Sequence, residues 1–230
     1  MVTGGGVRMR MDDTKAAPSS ATQTTYHRLH GMIVTGVLRP GEKLKIDRLR
    51  KRLDTGASPI REALSLLTSD SLVERIDQRG FRAAPIDLAN FEEILAMRCV
   101  LEDMALRQSL ANRTDAWEEQ VVLSHHRMTR AQAQGAGDFE TLHKAFHMAL
   151  LSACDGPILR RFCSQLYDLN IRYRFLAGSG LNYERRDVAA EHRAILDAVV
   201  AGDVEAASGA LRTHYERTGA FVTGVLEGMV

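Results

Sequence analysis

Histidines recur in this chain at positions suited to holding a metal ion. His143 and His147 stand four residues apart, which on a helix puts both imidazoles on one face, within reach of a single cation. His192 continues an apolar stripe of Val188, Ile195 and Val199, and His214 continues one of Leu211, Phe221 and Val225. Three helices thus turn histidine towards a shared interior. On the residues alone two readings stay open, hydrogen-bonded core imidazoles or a metal site. Arg98 interrupts the apolar face of Phe91, Ile94, Leu95, Leu101 and Ala105. A guanidinium is rarely buried without a partner. It either pairs with Glu102, Asp103 or a carboxylate of another helix, or clamps the carboxylate of a ligand. Arg172 and Arg174, beside Tyr173, are further candidates for the same pocket.

A second chemistry lies in the first third of the chain. The segment Gly56-Ala57-Ser58-Pro59-Ile60-Arg61-Glu62-Ala63-Leu64 opens a short helix with polar and basic residues outward and apolar residues behind. Pro59 suits a first helical turn, and Ser58 is placed to cap its amides. Phosphate can bind at such a helix end. Arg61 is then within reach of a base edge or phosphate if the helix enters the major groove. Upstream, Ile46, Leu49 and Leu53 recur at helical spacing. Downstream, Leu72 to Ile76 and Phe81 to Ile86 flank the turn Asp77-Gln78-Arg79-Gly80, which predicts a β-hairpin with Arg79 and Gly80 at its tip. Helix, turn, helix and hairpin make a winged helix-turn-helix.

Charge supports that division. The 230-residue chain carries a net charge of only +1, but residues 1–86 hold 15 Lys and Arg against 9 Asp and Glu, whereas the remainder holds 15 against 20. The basic excess accompanies the reading helix. Arg48, Arg50, Lys51 and Arg52 are its densest cluster and suit backbone phosphates, although each would also suit a solvated helix face. No run approaches the roughly 20 apolar residues that span a bilayer, and no apolar signal core opens the chain, so a cytoplasmic location is expected. Cys99, Cys154 and Cys163 are too few and scattered for a disulfide framework.

From Leu88 onward the period is helical throughout. Breaks near Asn112–Thr114, Gly135–Gly137, Asp155–Pro157, Gly178–Gly180 and Gly202 predict six helices, near 88–111, 115–134, 138–154, 157–177, 183–201 and 203–227. The expected fold is therefore mainly α. A disordered leader over 1–20 precedes a winged helix-turn-helix over 21–86 and an antiparallel six-helix bundle over 87–230. His125, His126, His27 and His30 fit neither site and read as ordinary surface or core side chains.

The run Leu38-Arg39-Pro40-Gly41-Glu42-Lys43-Leu44, then Leu49 and Leu53, then Ser58-Pro59-Ile60-Arg61-Glu62-Ala63-Leu64, then Leu72-Val73-Glu74 and Arg79-Gly80-Phe81, resembles the amino-terminal domain of GntR-family bacterial regulators. Members usually carry Arg just before the Ser/Thr-Pro pair; here that position is Ala57. The stretches Phe146-His147-Met148-Ala149-Leu150, Glu191-His192-Arg193-Ala194-Ile195 and His214 resemble the effector domain of the FadR-type subgroup, whose all-helical members ligate metal with one Asp and three His. The resemblance implies ligation by His147, His192 and His214, with His143 at the Asp position. Four imidazoles favour Zn, Ni or Cu over Mn or Mg, with Zn first by availability and geometry. It also implies that Arg98, in Arg98-Cys99-Val100-Leu101-Glu102, binds a small organic acid beside the metal. The chain further looks like the carbon-starvation-induced branch, which answers to a short dicarboxylate such as glutarate. Implied partners are a palindromic duplex operator and a second copy of the chain. The competing expectations are a metal-dependent hydrolytic site, with Glu191 or Asp168 as base, and a DNA-binding protein with a purely structural metal.

Overall fold

The computed structural model describes residues 20–77, 79–135, 137–177 and 186–228. The expected leader lies outside these residues, except that Ser20 already opens helix α1 (Ser20–Val34). Then follow β1 (Lys43–Leu44), α2 (Ile46–Leu53), α3 (Ala57–Ser69), β2 (Val73–Ile76) and β3 (Gly80–Ala83). Leu29, Ile33, Leu49, Leu53, Ile60, Leu64 and Leu67 bury one face each of α1, α2 and α3 in a common core, so the 3.6-residue period of the sequence is satisfied by mutual burial. Asp54 ends α2 in the left-handed region at φ 49°, and the chain turns through Thr55 and Gly56 into α3.

Two details of this half correct the sequence reading. Gly56 caps α3, which starts at Ala57, so the Ser58 hydroxyl sits inside the first turn and donates to Glu62 Oε1 at 3.0 Å instead of capping. The wing is a three-stranded antiparallel sheet of order β1-β3-β2, because Lys43 and Leu44 pair with Arg82 and Phe81. Two residues are too short to show a strand period, and β3 ends at Ala83, before the Pro85 that cannot donate to a ladder. Gly80 opens β3 at φ 94°, a conformation that an L side chain resists.

The remaining helices are α4 (Leu88–Ala111), α5 (Asp115–Ala133), α6 (Phe139–Leu150), α7 (Pro157–Leu176), α8 (Val188–Ala201) and α9 (Val204–Glu227). Asp87, Thr114, Asp187 and Asp203 cap four of them through their side chains, each cap contributing about 1 kcal/mol. Helix α6 stops at Leu150, short of residue 154: Leu151 and Ser152 switch to bonds three residues back and the Ser152 hydroxyl takes the Ala149 carbonyl. A Cβ on Gly219 would lie 2.2 Å from Leu95 Cδ2, so a larger residue there would require the Leu95 side chain between α4 and α9 to shift. Helix α7 belongs to both halves. Tyr167 and Ile171 are buried in the winged-domain cluster, while Cys163 is buried in the bundle core.

Candidate metal centre and nucleic-acid interface

Helix α6 buries Phe146, Ala149 and Leu150 and with them His143 and His147; α8 buries His192 beside Ile195, and α9 buries His214 beside Leu211. All four rings are at most 5% exposed. One ligand atom from each lies within 4.8 Å of all the others. His143 Nε2 is 3.1 Å from His192 Nε2 and 3.2 Å from His147 Nε2. A cation with nitrogen ligands at 2.0–2.1 Å spaces neighbouring donors about 2.9–3.4 Å apart, so these separations match edges of a coordination shell.

The far sides of three of the rings are held by hydrogen-bond partners, whereas His192 Nδ1 is buried with none among the described residues. His143 Nδ1 meets the Tyr167 hydroxyl at 2.5 Å, His147 Nδ1 meets the Tyr215 hydroxyl at 3.0 Å, and His214 Nδ1 meets Glu191 Oε2 at 2.9 Å. Outer partners of this kind fix the tautomer and aim the opposite lone pair at a metal. Burial, then neighbouring imidazoles and buried arginines, holds His143 and His147 well below the usual histidine range. The same causes bring His192 to about 2, and burial takes His214 to about 4 against the opposing pull of Glu191. All four are therefore neutral near pH 7, as ligation requires.

Arg98 is 4% exposed. Its Nε donates to Glu102 Oε1 at 2.6 Å, its Nη1 donates to Asn170 Oδ1 at 2.9 Å, and its Cζ lies 4.1 Å from the Tyr215 ring centre. Glu102 also accepts from the Tyr215 hydroxyl. A continuous chain of bonds thus joins His147, Tyr215, Glu102 and Arg98. The expected pairing of Arg98 with Glu102 is present, and its Nη2 is buried with no hydrogen-bond partner among the described residues. Arg174 pairs with Glu140 and is among the charges that depress His143 and His192. Arg172 is not gathered with them. It donates to the Ala84 carbonyl, in the segment that joins β3 to α4.

The bases weighed for a hydrolytic site are both engaged. Glu191 binds Arg186 and His214, and Asp168 accepts from Lys144 at 2.6 Å and pairs with His30 Nε2 at 3.2 Å. His30 is thus a contact between α1 and α7, which no periodicity could signal. Tyr167 and Tyr215 were equally silent, since a tyrosine on an apolar stripe reads as core. His125 is buried against Phe146, its Nε2 without a hydrogen-bond partner among the described residues, and lies outside the cluster of four.

On the winged half, Ser58 and Arg61 at the start of α3, Arg48 on α2, and Arg79 and Gly80 at the wing are all exposed, with Pro59 between. Arg48 has 74% of its side chain exposed despite Glu42 at 3.5 Å. The turn residue Gln78 lies outside the described residues. This surface offers donors for phosphates and one helix end for a groove.

A winged helix-turn-helix followed by a six-helix bundle around buried imidazoles defines a DNA-binding transcription regulator with an all-helical second domain. The pattern of the bacterial regulatory proteins of the gntR family matches residues 21–82, and that of the FCD domain matches residues 93–217. The chain belongs to the GntR family and carries an FCD domain. It is 38% identical over 204 residues to the HTH-type transcriptional regulator BphR of Paraburkholderia xenovorans, covering 86% of this chain and 83% of that one. It is 32% identical over 197 residues to the transcriptional repressor GlaR of Escherichia coli, covering 82% and 90%. Its fold matches Escherichia coli McbR/YncC at a TM-score of 0.76 and 24% identity, over 89% of this chain and 97% of that one. Regulators of this family bind DNA operators and small-molecule effectors, and their FCD domains often bind metal. Among the described residues no helix is long and apolar enough to cross a membrane.

Proposed function

We propose that this chain is a ligand-controlled repressor whose helical domain holds a divalent transition metal on His143, His147, His192 and His214 and, beside it, a small organic acid. The observation that carries this reading is the convergence of four buried neutral imidazoles next to the free Nη2 of Arg98. Charge supplies the rest of the argument. Arg98 is balanced by Glu102 and Arg174 by Glu140, so a dication on neutral ligands leaves two positive charges in a dry site. An anionic ligand removes that excess, and Arg98 supplies it with a directed donor. Bound there, the metal would act as an electrostatic anchor for a carboxylate. Imidazole donors favour Zn, with Ni as the alternative.

Within this reading the winged half, residues 21–86, contacts a palindromic operator as part of a homodimer through Arg48, Ser58, Pro59, Arg61, Arg79 and Gly80. The cytoplasm is where such an operator lies. The relative GlaR carries the name of a repressor, which favours that sign here, and the sequence resemblance narrows the acid to a short dicarboxylate such as glutarate. Arg172 takes the role of holding the Ala84 carbonyl, not of touching the acid. A thermal-shift screen of metal-loaded protein against mono- and dicarboxylates, repeated after chelation, tests the proposal. One acid should raise the melting temperature by several degrees only with metal present. Equal shifts before and after chelation would refute the metal-anchored acid.

A further inference from the structure

Three side chains on one face of α1 reach three different parts of the molecule. Thr22, Tyr26 and His30 stand four residues apart, so successive turns of the helix align them. The Thr22 hydroxyl donates to Glu62 Oε2 at 2.6 Å, in the first half of α3, and the Tyr26 hydroxyl donates to Asp70 Oδ2 at 2.7 Å, where α3 ends. His30 Nε2 meets Asp168 Oδ2 on α7 at 3.2 Å. A single stripe thus ties the reading helix, at both ends, to the bundle. Glu62 also accepts from the Ser58 hydroxyl, so Thr22 bears on the turn of α3 that presents Ser58 and Arg61. At its other end the stripe leads to the imidazole cluster. Asp168 follows Tyr167, whose hydroxyl meets His143 Nδ1 at 2.5 Å, and it accepts from Lys144, the residue after His143, at 2.7 Å on Oδ1 and 2.6 Å on Oδ2. Two consecutive residues of α6 are therefore clamped to two consecutive residues of α7, one pair at the imidazole cluster and the other at α1.

We propose that Asp168 is the positioning residue through which occupancy of the metal centre sets the reading helix, by way of His30, α1 and Glu62. The proposal rests on the metal reading above and gives that site its route to DNA. The physical step is a loss of freedom. A cation on His143 Nε2 fixes the ring, and with it the Tyr167 hydroxyl on the opposite nitrogen and the turn of α6 that carries Lys144. Lys144 and His30 share the Asp168 carboxylate, so ordering one side lowers the cost of ordering the other, and coupling of this kind needs no large displacement. Water competes little for the link, since the side chains of Asp168 and His30 are only 18% and 22% exposed. Helix α1 carries the constraint as a rod: from His30 back to Thr22 is about 12 Å at about 1.5 Å per residue. A row of contacts is a coupling when removing one link disconnects its ends, and Asp168 is the link to remove.

Hydrogen exchange of the full-length protein, read by mass spectrometry with and without zinc, tests this. In the wild type, zinc should slow the amides of α6, α8 and α9 and should also slow those of α1 and the start of α3, by about fivefold or more. In Asp168→Asn the bundle helices should keep their zinc-dependent protection and the zinc affinity should not change, while the protection of α1 and α3 disappears. Lys144→Met cuts the same link from the α6 side, at a side chain 29% exposed, and should separate the two regions in the same way. Protection of α1 that persists in either variant, or bundle protection without α1 protection in the wild type, overturns the route and leaves the metal site standing. Loss of bundle protection in both variants would make Asp168 a support of the metal centre itself and also overturns the route. No zinc-dependent protection anywhere in the wild type overturns the metal site and the route together.

Discussion

Lowering the pH of the metal-free protein should unfold it steeply, and the four histidines set the size of the effect. In the folded state burial and neighbouring charges hold His214 at about 4, His192 at about 2, and His143 and His147 well below the ordinary value. In the unfolded chain each returns to about 6.5. The unfolded state therefore binds protons that the folded state refuses, so the stability is fully present above about pH 6.5 and is lost as the pH falls below it. If each ring stays neutral in the folded protein, moving from pH 6.5 to 5 costs about 1.6 kcal/mol per ring, or about 6–7 kcal/mol for four. Domains of this kind are stable by about 5–15 kcal/mol in total, so a transition near pH 5 is expected. Urea titrations in chelator at several pH values measure the loss directly. Zinc at a hundred times its dissociation constant should return about 2.7 kcal/mol. A loss below about 1.5 kcal/mol across that pH range would mean that the rings already carry protons or face water, and the metal-site argument would fall with it.

Three further outcomes follow from named contacts. Glu102→Ala leaves Arg98 charged and buried without its carboxylate, and should cost about 3–5 kcal/mol in denaturant unfolding; a cost near zero would show that water reaches Arg98. Tyr167→Phe keeps the ring in the winged-domain cluster but removes the bond to His143 Nδ1. Metal affinity, read by competition with a chromophoric chelator, should fall about 10–100-fold with the fold intact, whereas unchanged affinity would deny Tyr167 a role in aiming the ligand. Arg61→Ala should weaken operator binding by about 1–3 kcal/mol without altering metal content, and an unchanged operator affinity would remove Arg61 from the interface.

Periodicity made the helices legible because each buries one stripe: Phe146 and His147, or His192 and Ile195, mark their inward faces in the sequence itself. The histidine cluster was legible for the same reason, with four inward positions converging where three helices meet. What stayed hidden was long-range pairing. Nothing in the spacing of His30 and Asp168, or of Tyr215 and Glu102, reveals that they touch across 138 and 113 residues. Arg172 and Arg174 are two residues apart yet point to different places, one to the Ala84 carbonyl and the other to Glu140, because successive alternate positions on a helix diverge by about 200°. The strand Lys43–Leu44 was hidden because a two-residue pairing exists only through its neighbour. Ser58 failed as a cap for a local reason: Gly56 reaches the extended cap conformation first, and the helix begins two residues early.

The central claim is that an acid bound between the metal and Arg98 controls the grip on DNA. Fluorescence anisotropy of a labelled operator, selected from random duplexes by the protein itself, measures it when short mono- and dicarboxylates are titrated into the metal-loaded complex. One acid should weaken operator affinity at least tenfold, and the response should vanish after chelation and in Arg98→Lys, which keeps the charge but loses the fork. A response of equal size in Arg98→Lys and in the chelated protein, or none with any carboxylate, would contradict the account.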